Sequence, residues 1–145
     1  MRLFLDSSAL MKSYLPEPGT DRVLALCAEA QEVIVSVLAV PEGISTLNRV
    51  RRQKLISDED YDALKTTLMN DVGNSTVVPL SPSIVTQAVM CLERAPLRGC
   101  DAVHVAAALE TAPELFVTGD RRQSSAAREL GLKVETVGFD DEAPG

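Results

Sequence analysis

Arg2-Leu3-Phe4-Leu5-Asp6-Ser7-Ser8-Ala9-Leu10-Met11 is the stretch on which the fold turns. A short apolar run of strand length stops at an acid and passes at once into a helical pattern. Ser7 or Ser8 stands where a helix cap is wanted. The same cadence returns late in the chain. Leu115-Phe116-Val117-Thr118 reaches Gly119-Asp120, and a helix over 121–130 follows and stops at Gly131. In both places an acid sits at the carboxyl end of a strand.

Between and beyond these two units the alternation continues. Pro16, Pro18 and Gly19 make a turn, and Thr20 or Asp21 caps a helix with Val23, Leu24, Cys27 and Ala28 on one face. Val33-Ile34-Val35 is a β-branched strand, followed by a helix through Glu42 to about residue 54. Ser57 and Asp60 have the spacing of a capping box for a helix ending near Gly73-Asn74. Thr76-Val77-Val78-Pro79-Leu80 reads as a strand, and Ser81-Pro82 opens a helix that buries Ile84, Val85, Ala88, Val89 and Leu92. An alanine-rich helix over 101–110 follows Gly99, and 133–137 forms the last strand. Strands alternating with helices predict an α/β fold with a parallel sheet covered on both faces. No repeat or linker divides the chain, so one domain over 1–139 is expected, with a frayed acidic tail at 140–145.

Composition narrows the class. The chain has 145 residues, 46% of them hydrophobic, enough for a real core, but only 3% aromatic, so Leu, Val, Ala and Ile must build it. Cys27, Cys91 and Cys100 lack metal-ligand spacing and read as reduced, buried thiols. No apolar run is long enough for a membrane span, and Asp6 and Lys12 interrupt the only stretch resembling a signal peptide. The expectation is a cytoplasmic protein with no membrane partner. A formal net charge of −7 argues against nonspecific nucleic-acid binding. Basic residues nonetheless gather locally at Arg49, Arg51, Arg52 and Lys54, at Arg94 and Arg98, and at Arg121 and Arg122.

In an open parallel sheet, ligands bind beyond the carboxyl ends of the strands. Asp6 and Asp120 lie at that edge, Glu42 near the start of the helix after the second strand, and Asp101 at the start of the helix before the fourth. Two carboxylates about 4 Å apart repel by roughly 4 kcal/mol at an effective dielectric near 20, so converging acids need a cation or protons. An all-oxygen set favours Mg²⁺ or Mn²⁺, ions suited to phosphodiester cleavage. Each acid also has an ordinary explanation. Asp6 and Asp101 serve equally as helix caps, Glu42 as a solvated side chain favourable with the helix dipole, and Asp120 as turn chemistry. On spacing alone both readings stay open. A phosphotransfer domain built on Asp6 is disfavoured, since Ser8 stands where a second acid is needed and Lys133 falls at the start of a strand.

Whole blocks of the sequence carry a resemblance. Leu5-Asp6-Ser7-Ser8-Ala9-Leu10 continuing to Tyr14-Leu15-Pro16-Glu17-Pro18-Gly19, the segment Leu97-Arg98-Gly99-Cys100-Asp101-Ala102-Val103-His104-Val105-Ala106-Ala107-Ala108, and Val117-Thr118-Gly119-Asp120-Arg121-Arg122 running to Leu132 are similar to blocks of the PIN-domain family. Within it they resemble the VapC-type toxin ribonucleases of toxin–antitoxin pairs. The resemblance implies an α/β/α sandwich with a five-stranded parallel sheet ordered 3-2-1-4-5. It implies an acidic quartet of Asp6, Glu42, Asp101 and Asp120 holding one or two Mg²⁺ ions, with Mn²⁺ able to substitute and Ser7 and Thr118 as nearby hydroxyls. RNA hydrolysis, a VapB-type antitoxin partner and a homodimer are implied with it, and Arg121 and Arg122 become candidate phosphate contacts. The alternative is a weak or inactive PIN domain serving as an RNA- or protein-binding module. Pro41 and Gly43 flank Glu42 where the family has apolar neighbours, and Gly43 costs helix propensity, about 1 kcal/mol against alanine. Gln123 likewise replaces an apolar residue. His104, one helical turn after Asp101, reads as a packed helix histidine rather than a substrate contact.

Overall fold

A computed structural model describes residues 1–139; the acidic tail expected at 140–145 lies outside them. The elements follow in the order β1 (Arg2–Leu5), α1 (Ser7–Met11), α2 (Thr20–Glu29), β2 (Glu32–Ser36), α3 (Ala39–Arg52), α4 (Asp58–Gly73), β3 (Thr76–Val78), α5 (Pro82–Arg94), α6 (Gly99–Thr111), β4 (Leu115–Thr118), α7 (Arg121–Glu129) and β5 (Val134–Thr136). The strands form one sheet in the order β3-β2-β1-β4-β5, every neighbouring pair parallel. This is the predicted α/β architecture with the predicted strand order.

Alternation along the strands separates two cores. Leu3, Leu5, Val35 and Val117 face α1 to α4, meeting Leu10, Val23, Leu47 and Leu68. Phe4, Ile34 and Phe116 face α5, α6 and α7, meeting Ile84, Val105 and Ala127. Phe4 and Phe116 stack across β1 and β4 with ring centroids 5.4 Å apart, so two of the scarce aromatics sit at the centre of the second core. Each fully buried leucine or phenylalanine contributes roughly 1.5–3 kcal/mol. Alanines 102, 106, 107 and 108 are fully buried, and their small side chains let α6 lie close to its neighbours.

The chain order creates a reversal point. Connections from β1 to β3 run over one face and those from β3 to β5 over the other, so the sheet grows outward in both directions from the β1–β4 pair. Such switch points open a crevice at the carboxyl ends of the central strands. Leu5 pairs with Val117 there, which sets Asp6 beside Thr118.

Several local expectations are corrected. Asp6 caps α1, the ordinary role the sequence also offered it, accepting from the Ala9 amide, and neither Ser7 nor Ser8 does so. Neither Thr20 nor Asp21 caps α2; left-handed Gly19 does, and the Thr20 hydroxyl accepts from the Glu17 amide. On α2 the buried residues are Val23 and Leu26, while Leu24 is exposed. On α5 they are Ile84, Ala88 and Cys91, and Val85, Val89 and Leu92 face outward. In both helices periodicity found an apolar stripe but placed its centre on the wrong side, because apolar residues outnumber what the core can take. Asp101 is not a cap: α6 starts two residues earlier, at Gly99. Cys100 is exposed and Cys27 only partly buried, against the expectation of buried thiols; Cys91 is buried, and all three are free.

Gly43 has a packing reason. A methyl there would stand 2.9 Å from Leu68 Cδ2 and 3.0 Å from Met11 Sδ, so its absence lets α3 lie against α1 and α4. Pro41 falls in the first turn of α3, where its missing amide proton removes no helical bond.

Candidate active site

Asp6 emerges from β1 almost fully buried, and the protein surrounds it with donors. Its Oδ1 accepts from the Ser8 hydroxyl at 2.7 Å and the Ala9 amide at 2.9 Å. Its Oδ2 accepts from Thr118 Oγ1 at 2.5 Å. Burial pushes this carboxyl above the ordinary aspartate value, and the three hydrogen bonds pull against that without cancelling it. Thr118 also accepts from the Asp120 amide at 3.0 Å, so one hydroxyl ties the end of β1 to the loop after β4.

Glu42 projects from the first turn of α3 and meets two donors from other elements. Ser7 donates to Oε1 at 2.7 Å, and His104 Nε2 lies 2.5 Å from the same oxygen. Burial raises this carboxyl, but the bonds from His104 and Ser7 outweigh burial and hold it below the ordinary glutamate value. The carboxylate requires the imidazole proton on Nε2. That leaves Nδ1 as a buried ring nitrogen with no partner, the one such side-chain atom among the described residues.

Asp101 differs. It stands in the first turn of α6, half-buried, and among the described residues its carboxylate accepts no hydrogen bond. Burial raises it, the Asp120 carboxylate raises it further, and Glu42 adds to the repulsion; His104 and Arg98 oppose. Asp120 is exposed and caps α7, its Oδ1 accepting from the Arg122 and Gln123 amides at 2.8 and 3.1 Å. Gln123 is buried and reaches the Asp101 carbonyl at 3.4 Å, which gives the polar residue at that packing position a partner.

Asp101 feels the charges of Asp120 and Glu42, and Asp6 lies at the end of the strand beside Thr118. The four acids do not form a ready-made ion cage: among the described residues no three acids, histidines or cysteines converge tightly enough to hold a metal ion. Asp6 has both oxygens on protein donors, whereas Glu42 and Asp120 each have one oxygen so engaged among the described residues. The donor chemistry still fits a hard divalent cation, because Asp101 is a carboxylate without a hydrogen-bond donor among the described residues, beside like charges.

A cleft of about 1130 Å³ opens beside the rim, lined by Ser7, Ser8, Glu42 and Gly119 together with Lys12, Arg49 and Arg98. Of the basic residues flagged in the sequence, Arg49 and Arg98 line it. Arg51 instead stacks on Tyr61 at 4.0 Å and bonds Asn48. Arg121 lies over the Phe139 ring at 4.1 Å, and Arg122 is exposed.

Sequence reasoning undervalued two residues. His104 is packed, as expected, but it also fastens Glu42; its place one turn after Asp101 was the available signal. Lys12 is buried beside the cleft, and nothing in its local pattern distinguishes it from a surface lysine.

Comparison with known proteins agrees with this architecture. The sequence profile of the PIN domain matches residues 3–129. The chain is 28% identical over 139 residues to Ribonuclease VapC47 of Mycobacterium tuberculosis (strain CDC 1551 / Oshkosh), covering 94% of this chain and 97% of that protein. Among solved structures it is similar to FitAcB from Neisseria gonorrhoeae, with a TM-score of 0.70 at 16% identity over 91% of this chain and 95% of that one. It is also similar to Mycobacterium tuberculosis VapC20, described as a sarcin–ricin loop cleaving toxin, with a TM-score of 0.66 at 18% identity over 90% and 95%.

Proposed function

This chain belongs to the PIN-domain family, and we propose that it is a metal-dependent endoribonuclease, the toxin of a VapBC-type toxin–antitoxin pair. The observation that carries the reading is Asp101: a half-buried carboxylate with no hydrogen-bond donor among the described residues, repelled by Asp120 and Glu42, near where Asp6 ends the central strand. Such a group is costly until a cation joins it.

In this reading Asp6 and Asp101 would be the principal ligands of Mg²⁺ or Mn²⁺, with Asp120 and Glu42 completing the quartet. When bound, such an ion would supply acidity to a water and charge neutralisation to the phosphate. The protein's own part is orientation. Thr118 and Ser8 fix the Asp6 carboxylate. Ser7 and His104 keep Glu42 ionised and aimed, so that it takes the proton of the attacking water. That water adds to phosphorus as the bond to the leaving ribose oxygen breaks, and that oxygen takes a proton from solvent water while Glu42 returns its own to solvent. Arg49 and Arg98 line the cleft with positive charge, and Arg121 and Arg122 adjoin Asp120, offering phosphate contacts that offset the net charge of −7.

RNA as substrate is supported by the relatives' names, ribonuclease for one and loop-cleaving toxin for another. A toxin of this kind works in the cytoplasm under an antitoxin's control. No helix among the described residues is long and apolar enough to cross a membrane. The outward apolar row Val85, Val89 and Leu92 on α5 supports a homodimer.

Purified protein incubated with a structured RNA pool should cleave it with Mg²⁺ or Mn²⁺, stop with chelator, and lose activity in Asp6→Ala and Asp101→Ala. Folded protein that cuts no RNA with either metal overturns the proposal. One observation favours a second reading, a noncatalytic binding module: the quartet is not preassembled. Calorimetric titration with Mn²⁺ separates the two, since a module lacking the site gives no binding heat that depends on Asp101.

A further inference from the structure

Lysines rarely bury themselves, because an ammonium stripped of water needs compensation. Lys12, at the end of α1, is only 8% exposed. Its side chain runs through a channel that glycines from three separate loops keep open. A methyl on Gly19 would stand 3.1 Å from its Cδ, one on Gly119 2.8 Å from its Cε, and one on Gly138 3.2 Å from its Nζ. Two of those glycines have a positive φ, +97° and +91°, a backbone that other residues rarely adopt. The channel delivers the ammonium beside Gly119, between Thr118 and Asp120, on the wall of the same cleft as Glu42 and Ser8. There, among the described residues, it donates one hydrogen bond, to Glu17 at 3.1 Å, whose own side chain is 44% exposed. An ammonium has three donors.

We propose that Lys12 is a substrate-binding residue: its spare donors take a non-bridging oxygen of an RNA phosphate, fixing the strand against the loop after β4. The inference rests on the ribonuclease reading and extends it. The acids repel a polyanion, so a cation held in a fixed channel on the wall of the cleft defines where a phosphate can lie. Arg49 and Arg98, on longer side chains at the wall, would attract the strand without fixing its register. The bland competitor is a staple, with Lys12 joined to Glu17 only to hold the loop after α1 in place.

Lys12→Met keeps an unbranched stem in the channel and removes the charge, and Glu17→Gln removes only the partner. Binding of a fluorescein-labelled twelve-nucleotide single-stranded RNA would be followed by anisotropy in EDTA across a salt series, beside cleavage kinetics with Mg²⁺. Lys12→Met should raise Kd about tenfold and reduce the slope of log affinity against log salt by about 0.7, one phosphate contact on a single strand. Glu17→Gln should leave binding unchanged or tighter. If Lys12→Met fails to fold, Gly119→Ala, which forces a methyl against the lysine stem and displaces the ammonium without removing it, should weaken binding in its place. Equal losses in Lys12→Met and Glu17→Gln, or no change in Kd and salt slope, overturn the assignment while the nuclease reading stands. A wild type that neither binds nor cuts RNA overturns both.

Discussion

Asp6 and Asp101 are both aspartates on one rim, and both are held above the ordinary carboxyl value, yet the protein treats them differently. Asp6 is fully enclosed, with Ser8, Ala9 and Thr118 all donating to it, and it caps α1. Asp101 is half open, bonds no donor among the described residues, and faces the repulsion of Asp120. The first carboxylate is part of the framework that joins β1 to β4. The second stands beside like charges with no donor among the described residues. A residue's contribution to folding and its contribution to chemistry therefore separate along this rim, and mutation should pull them apart.

The largest effect falls on Asp101→Asn. Cleavage should drop by more than the 10–100-fold typical of outer-shell partners, while the melting temperature of the metal-free protein stays level or rises by about 2–4 °C, because a like charge is gone. A destabilised variant would mean that Asp101 has a structural partner and that the contrast is false.

Cation and pH sharpen the same point. Asp6 and Asp101 have raised carboxyls, so the stability they contribute is fully present below the ordinary aspartate value of 3.8 and is lost as pH rises through their folded values. Glu42 is lowered, so its contribution is present above the ordinary glutamate value of 4.5 and lost as pH falls below it. Metal-free protein should gain little from a move from pH 5 to 7.5. Mn²⁺ at about 100 times its Kd should add about 2.7 kcal/mol at pH 7.5 and less at pH 5, where protons compete for the ligands. Thermal melts at both pH values, with and without the ion, measure this; equal stabilisation would place the ion elsewhere.

Asp6→Ala should lower metal-free stability by about 2 kcal/mol. The lost cap costs about 1 and the stranded Thr118 hydroxyl about 1–3, partly offset by removing a buried charge. Urea unfolding checks it, and a loss below about 0.5 kcal/mol would show that Asp6 is no framework residue. The smallest effect belongs to Ser7→Ala. Glu42 loses one of two donors, so activity should fall about fivefold, near 1 kcal/mol. The acidic limb of the rate profile should also move upward as the carboxyl drifts toward its ordinary value. An unmoved limb would remove Glu42 from the proton-transfer step.

The order of strands and helices was legible because strand and helix periods, capping serines and Gly131 are local signals. The capping box at Ser57 and Asp60 and the helix opening at Ser81-Pro82 appear as read. Which apolar residues of α2 and α5 turn inward was not legible. Both helices carry more apolar surface than the core takes, and only their orientation against the sheet decides which stripe is covered. The acids at strand ends were visible as candidates, and the family resemblance grouped them. The bond between His104 and Glu42 was not visible, since it joins α6 to α3 across 62 positions of sequence.

By itself, then, the sequence determined the alternating elements, the acid closing each central strand and the family blocks around them, all consequences of near-neighbour chemistry. Tertiary structure alone decided that Asp6 meets three donors while Asp101 meets none among the described residues, that Gly43 is a contact point, and that three glycines leave a passage for Lys12. Those properties depend on which remote groups arrive within hydrogen-bonding or van der Waals range, and only the packed sheet and its two helical layers set that.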